Sequence, residues 1–197
     1  MKEIEILVKI KDAVKDARRK LSHLKYKGMR EMCDVYYHHP ATKRCSPKSG
    51  FITECLRIRK KDKKVYLTYK LDHFDKNNTW TYSDEHEVEV NDLRAITEII
   101  TKLGFIPLAE IKSRKYAFLT KDYEVVIEDV ENLGRFLEVE CLNVGDNDKV
   151  EKKKEDIRGF IKKLGIDVVE EMTMGKLELM LKKSQQSKEK AIYSGRK

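Results

Sequence analysis

Five pairs of like charges two residues apart stand out along this chain, and each pair is of one sign. Carboxylates pair at Glu3 with Glu5, at Glu87 with Glu89 and at Glu138 with Glu140, while cations pair at Arg57 with Arg59 and at Lys112 with Arg114. In an extended segment successive side chains alternate between the two faces, so each pair sets two like charges side by side. Such a set suits chemistry on a polyanion. Guanidinium forks match the oxygens of a triphosphate, and carboxylates among them can hold a hard divalent cation, Mg²⁺ or Mn²⁺, through oxygen ligands. The metal would polarise phosphoryl oxygens and offset developing charge.

The elements that must position these pairs are strands. Lys2 to Ile10 alternates Glu3, Glu5, Leu7 and Lys9 against Ile4, Ile6, Val8 and Ile10. Further strands are expected at Arg30–His38 (with Asp34 and Tyr36 on one face), Glu54–Lys61, Lys64–Leu71 and Glu85–Val90, then at Ile106–Tyr116, Tyr116–Thr120, Glu124–Val130 and Arg135–Leu142. Apolar residues at helical spacing predict helices over Asp12–Lys25, Asn91–Leu103, Asn147–Leu164 and a short Lys176–Leu181. Gly28 reads as the stop of the first helix, and the run from His39 to Gly50, with Pro40, Lys43, Arg44, Pro47 and Lys48, as a basic surface loop. Residues 1–181 form one expected domain; residues 182–197, rich in Lys, Gln and Ser, form a basic, flexible tail.

Composition bounds the partners. The 197 residues carry a net charge of +8 and are 39% charged, a balance that allows nucleic acid, a membrane surface or polyphosphate as partners, but the two signs are interspersed with no basic arm, and nucleic acid is not expected. No stretch is long or apolar enough to span a bilayer and the first residues lack a signal-peptide profile, which predicts a soluble, cytoplasmic protein without a membrane partner. A homodimer is left open. Cys33, Cys45, Cys55 and Cys141 lack CxxC spacing, and Cys55 and Cys141 are assigned to the apolar sides of their strands as free thiols.

A solvated sheet face would ordinarily mix its charges, whereas here they are segregated by strand and the helices need an apolar sheet face to cover. Many antiparallel strands in series favour curling. The expected fold is therefore α+β: a closed or nearly closed antiparallel β-barrel with a polar, charged lumen and helices packed outside. Lys9, Arg57, Arg59, Lys70, Lys112 and Arg114 are its expected lumen cations, and facing carboxylates would offset their desolvation.

In order along the chain, Glu3-Ile4-Glu5, Asp34-Val35-Tyr36-Tyr37-His38-His39-Pro40, Leu56-Arg57-Ile58-Arg59, Tyr69-Lys70, Glu87-Val88-Glu89, Leu103-Gly104-Phe105, Lys112-Ser113-Arg114 and Leu133-Gly134-Arg135-Phe136-Leu137-Glu138-Val139-Glu140 resemble the CYTH superfamily of class IV adenylyl cyclases and thiamine triphosphatases. The resemblance looks strongest toward the class IV cyclase branch. It implies a triphosphate tunnel with Arg57, Arg59, Lys70, Lys112 and Arg114 on phosphate, and Glu3, Glu5, Glu138 and Glu140 as metal ligands or their supports. Arg57, Arg59, Lys112 and Arg114 are the residues expected to carry catalysis. Asp34, Tyr36, Glu87, Glu89 and Glu128 are further candidates, Glu128 standing where the family has an Asp. Leu7 falls where the family pattern places a lysine. The implied reaction converts ATP to cyclic AMP and pyrophosphate; a triphosphate hydrolase and a non-catalytic nucleotide or polyphosphate binder are the alternatives. His38 and His39 are read as structural, the Lys152 to Lys154 run as solvated, and Trp80 has no assigned role.

Overall fold

The computed structural model describes residues 2–42, 52–145 and 147–194, with side chains through residue 186. Most of the expected basic loop, including Lys43, Arg44, Cys45, Pro47 and Lys48, lies outside the described residues.

Fourteen elements occur in the order β1 (Lys2–Glu3), β2 (Glu5–Ile10), α1 (Val14–Lys20), β3 (Lys25–His38), β4 (Glu54–Lys61), β5 (Lys64–Phe74), β6 (Trp80–Val90), α2 (Leu93–Lys102), β7 (Ile106–Leu119), β8 (Tyr123–Val130), β9 (Gly134–Cys141), α3 (Val150–Lys163), β10 (Val168–Glu171) and α4 (Lys176–Ser194) among the described residues. The strands form one antiparallel sheet in the order β1-β6-β5-β4-β3-β7-β8-β9-β2-β10. Its curl is closed by the N-terminal segment. Lys2 and Glu3 pair with Asp84 and Ser83 of β6, whereas Glu5 to Lys9 pair with Glu140 to Phe136 of β9. One short stretch thus pairs with β6 at one end of the strand order and with β9 near the other, with the fully buried Ile4 at the switch.

Local chemistry explains the punctuation. The Asp92 side chain accepts from the amides of Arg94 and Ala95, capping α2. Gly104 ends that helix at φ 93°, a backbone region that side chains disfavour. Gly28, expected to stop a helix, instead sits inside β3 at φ 114°, where the register with β7 slips between Tyr26 and Gly28. Helix α1 is consequently shorter than its periodicity suggested, and the two strands expected around Tyr116 are one continuous β7.

Apolar packing lies mainly outside the curl. Ile4, Ile6, Val8, Ile10, Val125, Ile127, Leu137, Val139 and Cys141 face Ala17 and Leu21 from the α1 region and Ile157 and Ile161 of α3. A second outer layer joins Ile58 and Tyr37 to Ile100 of α2. The Cys141 expectation agrees with this packing; Cys55 does not, because it shares the period-2 face of Arg57 and lines the interior. Lys154, expected in a solvated run, is buried and donates from Nζ to the Trp80 carbonyl at 2.5 Å. Helix α4 passes through the region expected to be a flexible tail, continuing to Ser194. No helix among the described residues is long and apolar enough to cross a membrane.

Ile127 is fully buried in the outer core, and truncation there removes packed volume that its strand neighbours cannot refill. Ile127→Ala should lower unfolding stability by about 2–5 kcal/mol in urea with an unchanged m-value; a loss below about 1 kcal/mol would mean that this layer is loosely packed.

Candidate active site

The curl encloses a cavity of about 240 Å³. Its charged walls are organised into three groups. In the first, Arg59 donates from Nε and Nη2 to both carboxylate oxygens of Asp34, at 2.8 and 2.7 Å. Arg57 lies alongside, with Nη1 3.7 Å from Asp34, Nη2 3.4 Å from Glu85 and its guanidinium over the Tyr36 ring. In the second, the Lys70 ammonium bridges Glu3 at 3.2 Å and Glu5 at 3.3 Å, with Glu85 at 3.7 Å. The third joins Lys115 and Lys176 to Glu128 and Glu138: Lys176 lies 2.5 and 2.6 Å from the two carboxylates, Lys115 3.6 and 3.3 Å.

These arrangements set the protonation of the site. Burial would raise the Asp34 carboxyl, but the hydrogen bonds and charge of Arg59, joined by Arg57, hold it at about 2. Burial pushes the Tyr36 phenol up to about 12. Burial would likewise raise Glu138, yet Lys115 and Lys176 hold it well below the ordinary carboxylate value. At the other end, burial and the neighbouring carboxylates Glu5, Glu3, Glu138 and Glu124 push Glu140 up to about 8, and Glu3 is also raised.

The sequence-derived candidates separate cleanly in space. Arg57, Arg59, Lys70, Glu3, Glu5, Asp34, Tyr36, Glu128, Glu138 and Glu140 line the cavity together. Lys112 and Arg114 do not. On β7 the interior residues are Ile111, Lys115 and Ala117, so the expected cations project from the opposite face, beside Cys33, Lys60 and Asp62; Lys112 pairs there with Glu110 at 2.9 Å. Lys9 is also absent from the wall. It lies one step beyond Leu7, in register with Phe136, and both Leu7 and Phe136 belong to an apolar layer with Ile111, Val130 and Leu177. Glu87 sits at the rim, accepting from Thr68 at 2.8 Å and standing 3.8 Å from Arg57. Glu89 pairs with exposed Lys64 and lies outside the cavity.

Several lining groups went unforeseen. Lys115 was detectable, since it stands two residues from Ser113 and an even step from Ala117, but neighbouring charges at Lys112 and Arg114 gave the other face the stronger pattern. Arg30 and Lys61 extend the faces of Asp34 and Arg59. Met174, just before α4, and Lys176 and Glu178, in its first turn, also line the cavity, and strand periodicity could not place them. Trp80 opens β6, donates from Nε1 to Ser83 at 3.1 Å, and lines the cavity near Phe74 and Asp72.

Among the described residues, no group of three or more His, Cys, Asp or Glu side chains is already gathered as a metal-ligand set. The donor chemistry still fits a hard divalent ion at one wall. Glu5 and Glu140 are directly opposed across β2 and β9, Glu140 is opposed to Glu124 across β8, and burial together with these neighbouring carboxylates raises the Glu140 proton affinity.

Comparison with known proteins gives the family. The chain matches the CYTH domain over residues 1–175 and belongs to that family. It is 32% identical over 168 residues to a Methanocaldococcus jannaschii protein named provisionally as an adenylate cyclase, spanning 84% of this chain and 91% of that one. A Pyrococcus horikoshii protein of solved structure superposes with a TM-score of 0.76 at 26% identity, covering 92% of this chain and 99% of its own. A Hippeastrum protein described by a dominant triphosphatase activity shares the fold, with a TM-score of 0.59 at 17% identity over 93% of this chain and 96% of its own.

Glu178, in the first turn of α4, is raised to about 7 by burial, with Asp72 adding to the effect and Lys182 opposing it. The folded protein keeps a proton there that the unfolded chain releases near the ordinary value of 4.5, so this contribution to stability is lost as pH rises from about 4.5 through about 7. Glu140 acts in the same direction. The melting temperature of the metal-free protein should therefore fall across that window, and Glu178→Gln should flatten the slope. An identical pH profile for the variant would show that Glu178 does not titrate in this range.

Proposed function

We propose that this chain is a divalent-metal-dependent enzyme of nucleoside triphosphates that converts ATP to cyclic AMP and pyrophosphate. The carrying observation is the order of groups along the cavity. Cross-strand register sets Arg59, Arg57 and Lys70 in sequence beside Tyr66, Thr68 and Glu85, and the same strands run on through Asp72 to Phe74 and Trp80. A train of cations thus leads into an aromatic end, which suits a polyphosphate carrying a flat organic group. The Arg57 Nε is buried without a hydrogen-bond partner, a donor that a phosphate oxygen would satisfy.

In this reading Arg57, Arg59, Lys70, Lys115 and Lys176 hold the β- and γ-phosphates. The ribose 3′-hydroxyl gives up its proton to water and its oxygen bonds to the α-phosphorus as the bond to the β-phosphate oxygen breaks, and the cations stabilise the charge that gathers on departing pyrophosphate. Asp34 fixes the Arg59 fork, so that little reorganisation is needed during reaction. Glu3, Glu5 and Glu140 would hold Mg²⁺ or Mn²⁺, which supplies Lewis-acid polarisation of the phosphoryl oxygens when bound. The resemblance-based roles of Lys112 and Arg114 are not retained.

A second reading, hydrolysis of inorganic or another small triphosphate, is favoured by size. The cavity of about 240 Å³ lies below the common range for drug-sized ligands of about 300–1,000 Å³ and suits a bare phosphate chain better than a whole nucleotide. Product analysis separates the two. Incubation with ATP and Mn²⁺ should yield cyclic AMP and pyrophosphate; orthophosphate alone would replace the cyclase reading with the hydrolase. Arg57→Ala should weaken triphosphate affinity by about tenfold or more, the loss of one charge-assisted contact, while retaining the fold by circular dichroism. Equal affinity in that variant would remove the tunnel from the binding site.

A further inference from the structure

The geometry points to Trp80 as the ring against which the organic group of the substrate packs, and to Lys154 of α3 as the positioning residue that fixes it from outside the sheet. The first observation is a change of face within β6. Glu85 lines the cavity, so regular alternation along the strand would put Tyr82 and Trp80 together on the outer side. Tyr82 obeys this, packing against the outer core and stacking on His73. Trp80 does not, and lines the cavity. The register supplies the reason: His73 is opposed to Tyr82 and the next residue, Phe74, is opposed to Trp80, which makes Thr81 an extra residue on β6. A β-bulge thus aims the one tryptophan of the chain inward.

The second observation is how firmly that ring is held. Its Nε1 donates to Ser83 Oγ at 3.1 Å, and the Ser83 hydroxyl donates in turn to Asp72 at 2.5 Å. From the other side of the sheet Lys154 donates to the Trp80 carbonyl at 2.5 Å, with its ammonium 5.0 Å from the ring centroid. Lys154 is 5% exposed, and among the described residues it forms no ion pair with a carboxylate. Burial disfavours its charged form, a cost that an apolar side chain filling the same space would not carry. What the lysine adds over such a side chain is a donor for the carbonyl at the bulge and a cation against the indole. Inside the curl, Lys70 stands 5.7 Å from the same ring while it bridges Glu3 and Glu5. A phosphate at Lys70 therefore brings the group attached to it within reach of Trp80. The ligand class is a flat heteroaromatic group on a phosphate chain, and contact with Trp80 is what separates such a substrate from inorganic tripolyphosphate.

This assignment rests on the nucleoside triphosphate reading, and the two fail separately. The full chain with Mg²⁺ is titrated calorimetrically with inorganic tripolyphosphate and with the α,β-methylene analogue of ATP, whose carbon bridge resists the cleavage that cyclisation requires. Trp80→Ala should bind the analogue about fivefold or more weaker, the loss of one stacking contact, and tripolyphosphate within about twofold of wild type. Trp80→Phe should recover part of the loss. Lys154→Met should show the same split between the two ligands, because it releases the ring without touching the phosphate cations. Equal losses for both ligands in Trp80→Ala would mark a structural wall and overturn the assignment, as would an unchanged affinity for the analogue. Wild-type binding of both ligands by Lys154→Met would remove the positioning role. A wild-type protein that takes tripolyphosphate but not the analogue would instead sink the nucleotide reading itself. Should Trp80→Ala not fold, the fluorescence of the single tryptophan in the wild type decides the matter: saturating analogue should change its emission well beyond the effect of tripolyphosphate, and an equal response to the two overturns the assignment.

Discussion

The interior depends on one constraint: a guanidinium or ammonium taken out of water must meet a carboxylate, or the fold forfeits several kcal/mol for each ion. Arg59 meets it with a two-pronged contact to Asp34, Lys70 with Glu3 and Glu5, and Lys176 with Glu128 and Glu138. Arg57 is the exception in part. Its Nη atoms lie near Asp34, Glu85 and Thr68, yet its Nε lacks a partner. A wall in which most charges are satisfied by protein partners is stable without ligand, and its cations still line the cavity that an anion would enter.

That interior obliges the apolar groups to go elsewhere. The strands turn Ile4, Ile6, Val125, Ile127, Leu137 and Val139 outward, and α1 and α3 cover them. The usual relation between a barrel and its core is inverted, so most hydrophobic stabilisation comes from helix-on-sheet contact and little of it depends on the site. Residues 2–10 couple the two layers. Their odd-numbered members supply Glu3, Glu5 and Leu7 to the interior while their even-numbered members supply the outer core, and the stretch pairs with β6 at one end of the strand order and with β9 near the other.

Alternation revealed which residues share a face but carried no information on which face turns inward. Where one face was apolar, as in β2, β8 and β9, the choice was unambiguous and Glu3, Glu5, Glu138 and Glu140 fell where expected. On β7 both faces carry charge, Lys112 and Arg114 on one and Lys115 on the other, so a conspicuous like-charge pair outweighed the true interior face. Trp80 was hidden for a different reason: Thr79, Thr81 and Ser83 make the start of β6 look like a polar connection. Lys176 is the least legible of all, since its place depends on a helix end docking across the sheet and no local period encodes that.

Charge balance also argues for the kind of ligand the cavity accepts. Seven cations line it, Arg30, Arg57, Arg59, Lys61, Lys70, Lys115 and Lys176, against ten carboxylates, so a triphosphate would not be drawn in by the side-chain charges alone. The excess is concentrated where Glu5, Glu140 and Glu124 are opposed across adjacent strands, and there the proton affinity of Glu140 is raised. Protons can reduce that excess only by leaving the carboxylates unable to act as ionised ligands. A divalent cation reduces it while keeping them ionised, and at the same time supplies positive charge facing the phosphates. An acidic wall beside an arginine wall therefore makes metal and triphosphate mutually dependent: each reduces the electrostatic cost of admitting the other.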